Sequence, residues 1–299
     1  MKIAICALIG FVVLLHPPSA LTQSQGALNS SPNQKLAPEL GRSRAVPFEL
    51  RDGFLIVVEG RIGERDHLKF ILDTGVTKTV VDRKLAKSLD LPLHPYAYQV
   101  SNFDKIADLQ WALFPAIEFG TVEARNAALL VGDLSRYSEF TQGIDALIGV
   151  DLLASSSFTI DYETMTVVFA SASRVIASSL VTVSPCLIAT LHVQNQEVHL
   201  IVDSGLSEVL LFEDKLRRRK TPLALKDQAR PIRMGQQLRG RRATLSGVLF
   251  GTREIDMPVV VVDGPSARAL PGVDGYLGVA MLKAHRISFN FTIPAMAWQ

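Results

Sequence analysis

The sequence carries the same order of four short motifs twice along its 299 residues. In the first motif an apolar run ends in an aspartate, ILDTG in one copy and LIVDSG in the other, which places Asp73 and Asp203 130 residues apart. The motif pairs are 69–82 with 199–214, 119–121 with 250–252, 143–153 with 272–282, and 157–169 with 286–298. Because four motifs keep one order and nearly one offset, we interpret the chain as a duplicated domain and not as a solenoid of short repeats.

The residues between the motifs predict two all-β lobes. Short apolar runs alternate with glycine, aspartate and asparagine, which is typical of strands joined by turns. Within this pattern, turns are predicted at 60–66 and 194–196, and short helices at 82–91 and 212–220. The predicted organisation is a flexible polar tether at 21–46, a first lobe at 47–170, a linker at 171–179 and a second lobe at 180–299.

The first residues have the pattern of an export signal. Lys2 precedes thirteen uncharged, mostly apolar residues, Ile3 to Leu15. The HPPSA that follows offers a cleavage point after Ala20, with Gly26 as a second choice. We therefore predict a signal peptide at 1–20 and an exported protein, periplasmic or secreted. An uncleaved signal anchor stays open, although the apolar run is short for a membrane span of roughly 20 residues.

Composition narrows the class of protein further. A hydrophobic content of 48% with 20% charged residues is that of a globular protein, and the net charge of +2 predicts no partner. The six histidines lack metal-ligand spacing, and there is neither a G-x-S-x-G motif nor a phosphate-binding glycine loop. We therefore predict no metal site and no cofactor. Once the signal is removed Cys186 is the only cysteine, so we expect no intrachain disulfide and a buried, apolar role for Cys186.

The segment 215–242 is strongly basic, with eleven lysines and arginines and a single acid. Two interpretations stay open for it: a solvated helix face and loop, or a surface that contacts an anionic partner. Aromatic residues are not interleaved with the charges, so we predict no nucleic-acid binding.

Two aspartates that follow buried strands at equivalent places suggest a shared site. A buried carboxylate is costly unless it is paired or hydrogen-bonded. A pseudo-two-fold axis would bring Asp73 and Asp203 face to face, and like charges that close share one proton, which leaves one base and one acid. Gly75 and Gly205 allow a tight turn towards the carboxylates. The hydroxyls of Thr74 and Ser204 are available to bond across the axis.

These loops give the sequence its resemblance to a known family. Two D-[TS]-G loops, each followed by an apolar-apolar-Gly block at 147–149 and 276–278, resemble the aspartic proteases, and more closely the compact retroviral type and its bacterial relatives than the longer pepsin lobes. The resemblance covers about 47–299. It implies an all-β, bilobal fold of two duplicated β-barrel-like lobes with a cleft between them, and a catalytic dyad of Asp73 and Asp203 around one shared water. It also implies cross-lobe contacts by Thr74 and Ser204, a polypeptide substrate and no cofactor.

The sequence departs from the family pattern after each glycine. Val76 and Leu206 stand where the family usually has alanine or serine, at a position that borders the substrate backbone, so we expect Leu206 to narrow the cleft. Thr77 and Ser207 match the hydroxyl that is usual at the next position. The first segment that corresponds to a family flap, 94–111, has no glycine.

Three functions follow from these features. The first is an exported aspartic endopeptidase, working as a monomer because both halves of the dyad belong to one chain. The second is a protease-like peptide-binding module that has lost turnover, which Val76, Leu206 and the glycine-free flap segment would favour. The third is a non-proteolytic envelope protein that docks through its basic second lobe.

Overall fold

A computed structural model describes residues 11–13, 44–95, 100–102, 105–107, 109–136, 141–169, 178–183, 186–219, 223–234, 238–250, 253–263, 272–291 and 294–299. These residues are mostly strands with a few short helices, which confirms the predicted all-β class. The first half contains β1 Phe11–Val13, β2 Arg44–Arg51, β3 Leu55–Ile62, β4 Arg65–Leu72, β5 Val80–Asp82, β6 His94–Pro95, β7 Val100–Asn102, β8 Lys105–Ala107, β9 Gln110–Phe119, β10 Val122–Gly132, β11 Ala146–Ile148, β12 Phe158–Asp161 and β13 Thr166–Phe169.

The second half also consists mainly of strands. Its strands are β14 Ser178–Val183, β15 Cys186–Val193, β16 Gln196–Asp203, β17 Val209–Phe212, β18 Leu225–Met234, β19 Leu238–Phe250, β20 Arg253–Asp263, β21 Gly275–Gly278, β22 Arg286–Asn290 and β23 Ala295–Trp298. The α-helices are α1 Arg83–Ser88, α2 Val150–Leu153 and α3 Glu213–Arg217, with 3₁₀ turns at Leu134–Arg136 and Val279–Leu282.

Each half closes into a barrel with the same connections. In the first lobe the ring of paired strands runs β3–β4–β11–β5–β10–β9 and returns to β3. In the second lobe it runs β15–β16–β21–β17–β20–β19 and returns to β15. Corresponding pairs are also parallel or antiparallel alike, so the sequence duplication is a duplication of topology. This is the bilobal, barrel-like architecture that the sequence predicts.

The predicted hairpins and helices form where the local sequence favours them. β3 and β4 form the first hairpin, and β15 and β16 the second, with Gln194 in the left-handed conformation at the turn. Helix α1 begins after Asp82, whose side chain accepts a hydrogen bond from the Lys84 amide and caps the helix. α3 occupies the matching place in the second lobe.

The strands that lead to the two aspartates are apolar where they are enclosed. β4 is exposed at its start, whereas Phe70, Ile71 and Leu72 at its end are fully buried. This end is paired along both edges, with β3 and with the inserted strand β11, and the full burial of three consecutive residues shows that both of its faces are covered as well. A run of three apolar residues, without the alternation of a surface strand, is what such a position requires.

A six-stranded sheet joins the lobes in the order β2–β13–β12–β22–β23–β14. Its central pair, β12 and β22, comes from different lobes. Aromatic rings pack across this junction: Phe158 stacks on Phe289 with ring centroids 4.8 Å apart, and Phe169 lies 5.6 Å from Phe158. Phe158 is 2% exposed. The fourth repeated motif is therefore the one that connects the two lobes.

The structure describes the predicted segment boundaries only in part. Strand β2 begins at Arg44, so pairing starts within the last residues predicted as tether. The predicted linker lies outside the described residues except for its last two, which begin β14. Of the predicted signal peptide only β1 is described, and it pairs with β7 in a small sheet that also contains β8. Within the described residues, no helix is long and apolar enough to cross a membrane.

We predict that Phe158→Ala destabilises the protein by about 3–5 kcal/mol, because it removes the ring that packs against aromatic residues of both lobes. The measurement is the free energy of unfolding from urea titration. Leu113→Ala is the control, because Leu113 is 52% exposed and its removal should cost less than about 1 kcal/mol. Equal effects of the two substitutions would contradict this account of the junction.

Candidate active site

Asp73 and Asp203 lie directly where the two enclosed strands end. Asp73 follows β4, and its amide donates to the Ile148 carbonyl of β11 at 3.0 Å. Asp203 is the last residue of β16 and pairs in register with Gly278 of β21. Each aspartate is therefore fixed by the apolar-Gly strand of its own lobe. Both side chains are fully buried, with 0% of their surface exposed.

Four hydrogen bonds join the two loops across the pseudo-two-fold axis. The Thr74 amide donates to Ser204 Oγ and the Ser204 amide donates to Thr74 Oγ1, each at 3.0 Å. The hydroxyls in turn donate to the strands opposite, Thr74 Oγ1 to the Val202 carbonyl at 2.8 Å and Ser204 Oγ to the Leu72 carbonyl at 2.9 Å. Each hydroxyl both donates and accepts, so the two loops hold each other in register.

The glycines allow the carboxylates to approach. A Cβ atom added to Gly75 would lie 2.5 Å from Asp203 Cγ, and one added to Gly205 would lie 2.5 Å from Asp73 Oδ2. No other residue fits at either position without displacing the carboxylate. Each glycine amide also donates to the aspartate of its own loop, Gly75 N to Asp73 Oδ1 at 2.9 Å and Gly205 N to Asp203 Oδ1 at 2.7 Å.

The site raises the pKa of both carboxyl groups. Burial is the largest cause for each and raises the pKa of Asp203 to about 7. The pKa of Asp73 is raised well above its usual range by burial and then by the charge of Asp203. The Gly75 and Gly205 amides oppose the rise by stabilising the charged forms. Within the described residues, Oδ2 of each aspartate accepts no hydrogen bond. The pair can thus hold one proton in the neutral range.

The residues after the glycines lie inside the lobes. Val76 and Leu206 are both 0% exposed. Val76 packs in an apolar cluster with Val80 and Leu147, and Leu206 in one with Leu210 and Tyr276. The expectation that Leu206 narrows the cleft is therefore corrected, because its side chain fills the interior beneath the loop. These clusters explain why larger apolar residues replace alanine or serine here.

The two hydroxyl residues that follow differ in their surroundings. Thr77 is 6% exposed, whereas Ser207 is half-buried. Among the described residues, Ser207 makes no hydrogen bond to Asp203.

The next turn of the first loop is held by Thr79, whose hydroxyl donates to Asp151 Oδ1 at 2.7 Å and accepts from the Gly149 amide at 3.0 Å. The sequence indicates only a turn or strand-end residue at Asp151, because its contact with Thr79 joins residues that are 72 positions apart.

Two aspartates that precede the apolar-Gly blocks accept hydrogen bonds from backbone amides. Asp145 Oδ2 accepts from the Lys69 amide at 2.8 Å, and at the equivalent place Asp274 Oδ2 accepts from the His199 amide at 2.9 Å. Among the described residues no group of three or more metal-binding side chains occurs. Trp111 stacks on His94 with ring centroids 4.6 Å apart. Tyr96 and Tyr98 are candidate flap or pocket aromatics in the segment 94–111 that corresponds to a family flap, and both lie outside the described residues.

A protein-family model described as Aspartyl protease matches residues 58–152, a range that contains the Asp73 loop and the Gly149 block. Over this range the first lobe is therefore similar to the aspartyl proteases. The family resemblance predicted from the sequence is therefore confirmed.

Two solved structures are similar to this chain. An aspartic proteinase from Irpex lacteus shares 12% identity at a TM-score of 0.46, with 86% of this chain and 98% of that chain covered. A retropepsin-like aspartic protease from Rickettsia conorii shares 19% identity at a TM-score of 0.29, with 44% of this chain and 96% of that chain covered. No curated protein matches the sequence.

We predict that Ser204→Ala destabilises the protein by about 1–3 kcal/mol, because the buried Thr74 amide loses its hydrogen-bond acceptor. Urea unfolding measures the effect. Ser155→Ala is the matched control: the Ser155 hydroxyl also bonds a backbone carbonyl, that of Leu152, but Ser155 is exposed. A loss at Ser204 no larger than at Ser155 would exclude a structural role for the cross-lobe contacts.

The raised pKa of the pair also predicts how stability changes with pH. Asp203 has an ordinary pKa of 3.8 and about 7 when folded, so the folded state binds more protons than the unfolded state across that window. The contribution of the pair to stability is therefore largest below pH 3.8 and is lost as the pH rises towards about 7. We expect Asp203→Asn to reduce this slope in urea unfolding and to be more stable than wild type near neutral pH. Identical slopes would contradict the prediction.

Proposed function

We propose that the protein is an aspartic endopeptidase that hydrolyses peptide bonds through Asp73 and Asp203. The observation that carries the proposal is the close approach of two buried carboxylates, each in contact with the glycine of the opposite loop. The match of residues 58–152 to the aspartyl protease family model supports a peptidase. The second lobe supplies the other carboxylate from an equivalent loop, so one chain carries the complete pair.

In the proposed mechanism the pair holds one proton. The ionised carboxylate takes a proton from a water molecule, and the water oxygen attacks the carbonyl carbon of the peptide. The protonated carboxyl gives its proton to the carbonyl oxygen, which avoids an unstabilised oxyanion. The carboxyl that took the proton from water then gives it to the nitrogen of the leaving amine, and a hydroxyl of the tetrahedral intermediate returns its proton to the other carboxylate as the C–N bond breaks. The pair ends with the single proton with which it began. The reaction needs no covalent enzyme intermediate and no cofactor.

The raised pKa values suit this division of roles. A carboxyl with an ordinary pKa would be ionised at neutral pH and unable to act as an acid. Burial and the neighbouring charge raise the pKa of Asp73 well above its usual range, and burial also raises the pKa of Asp203, so the pair keeps a proton that can be given to the substrate. Loss of this proton at high pH should stop turnover.

A polypeptide in extended form is the proposed substrate, bound to a monomer between the two lobes. The proposal of an anionic surface partner becomes weaker, because five of the eleven cations of segment 215–242 have acidic partners within the chain. These pairs are Arg217 and Arg241 with Glu213, Arg219 with Asp274, Lys226 with Asp256, and Arg242 with Glu208. We further propose export, periplasmic or secreted, on the basis of the N-terminal sequence alone.

The test is digestion of a peptide library by wild type, Asp73→Asn and Asp203→Asn at several pH values. Each substitution keeps the shape of the side chain but removes the base or the shared proton, so we expect cleavage to fall by at least about a thousandfold. Asp66→Asn is the matched control, because Asp66 is an exposed aspartate with 65% of its side chain accessible. It should cleave as wild type does.

Two outcomes would overturn the proposal. Cleavage by Asp73→Asn at the wild-type rate would exclude the dyad mechanism. Folded wild type that binds peptides without cleaving them would instead identify a silent binding module. The original reason for that alternative has weakened, since Val76 and Leu206 are interior residues.

A further inference from the structure

The two catalytic loops are supported by different side chains, although their topology is the same. In the first lobe Thr79 and Asp151 connect the loop to α2 through a buried hydroxyl, and the Thr79 amide adds a hydrogen bond of 2.9 Å to Asp151 Oδ1. The equivalent positions in the second lobe are Val209 and Ala280, whose side chains have no hydrogen-bonding group. The Asp203 loop must therefore be held in another way.

Glu208 takes this place in the second lobe. Its carbonyl accepts a hydrogen bond of 3.0 Å from the Gly278 amide, and a Cβ atom on Gly278 would lie 2.6 Å from that carbonyl oxygen. The Glu208 backbone is thus packed against the strand that pairs with Asp203. The position that corresponds to Glu208 in the first lobe is Lys78, which is exposed.

The side chain of Glu208 is joined to the hairpin of β18 and β19. Arg242 Nη1 donates to Glu208 Oε1 at 2.7 Å, and the two side chains are 27% and 23% exposed. Within the described residues, Glu208 Oε2 is buried and accepts no hydrogen bond. If the arginine were lost, the partly buried Glu208 carboxylate would have no ion-pair partner. Its loss should therefore cost more free energy than the loss of a fully solvated ion pair.

Arg242 lies at a junction between the hairpin and the barrel. It pairs in register with Val260 of β20, which pairs with Leu210 of β17, two residues after Glu208. Strand β19 continues from Arg242 to its hairpin end at Leu238, where it pairs with Met234 of β18. The corresponding residue of the first lobe is Trp111, which packs among apolar residues and on His94. The charged connection is therefore specific to the second lobe.

We propose that Arg242 is a positioning residue that couples the β18–β19 hairpin to the Asp203 loop through Glu208. The pair fixes the turn after Asp203, so that movement of the hairpin and the orientation of the second carboxylate depend on each other. The first carboxylate, held by Thr79 and Asp151, has no such connection among the described residues. The effect on catalysis rests on the proposed peptidase function, whereas the coupling of the hairpin to the Asp203 loop does not.

The experiment compares Arg242→Gln, Glu208→Gln and the double variant with wild type in the full chain. Arg217→Gln is the matched control, because Arg217 also pairs with a glutamate in the basic segment but is 77% exposed and bonds within α3. Arg242→Lys tests rescue by a cation at the same position. Two measurements are made: kcat and KM for a cleaved peptide, and hydrogen exchange of the Gly278 amide.

If the proposal is right, Arg242→Gln and Glu208→Gln each lower kcat by about tenfold with little change in KM, because misplacement of a catalytic group affects the chemical step. The double variant should be no worse than either single one, and Arg242→Lys should recover part of kcat. Gly278 exchange should be faster in both single variants and unchanged in Arg217→Gln. If the Arg242–Glu208 pair were only a surface contact, its removal would change neither kcat nor the hydrogen exchange of the Gly278 amide.

The two parts of the proposal fail separately. Wild-type kcat in Arg242→Gln would overturn the positioning role. If wild type does not cleave peptides at all, the proposed function is wrong, but the exchange experiment still decides the structural coupling. Gly278 exchange at the wild-type rate in both Arg242→Gln and Glu208→Gln would overturn that coupling.

Discussion

The close burial of two carboxylates is the constraint on which the rest of the structure depends. Two like charges without solvent are strongly unfavourable, so the fold must hold them together by other interactions. The four hydrogen bonds among Thr74, Ser204 and the opposing strands supply that restraint. The duplication serves the same requirement, because only equivalent loops on a pseudo-two-fold axis can exchange the same contacts in both directions. Glycine at 75 and 205 then gives each carboxylate the space that it occupies.

Around this constraint the two lobes have diverged in side chains while keeping their connections. Both barrels insert a short apolar strand beside the strand that ends in aspartate. The first loop is then held by a buried hydroxyl and carboxylate, and the second by an ion pair that reaches the hairpin. The shared sheet, with Phe158 against Phe289, makes the lobes one unit and keeps the two loops opposite each other. The backbone is thus alike in the two lobes, whereas the side chains that support the two aspartates differ.

Much of this arrangement was predictable from the sequence, because repeated motifs report topology directly. Two D-[TS]-G loops after apolar runs, with matching apolar-Gly blocks, led to the barrels, the loops and the aspartate pair. The places where the prediction was incomplete have a common cause. Val76 and Leu206 were compared with a family pattern, whereas their surroundings are clusters assembled from strands far apart in the sequence. Likewise Glu208 and Arg242, 34 residues apart, are joined only when β19 is paired with β20.

The sequence by itself therefore determined the duplication and the approximate positions of the strands and short helices. It also determined which two aspartates are paired and which glycines lie beside them. Each of these follows from local chemistry: alternation and apolar runs, turn residues, and the order of short motifs. Only the tertiary structure decided how deeply the carboxylates are buried, how far their pKa values rise, and which charges of the basic segment are neutralised inside the chain. Those properties depend on distances between residues that the chain brings together from both lobes, and no local pattern encodes such distances.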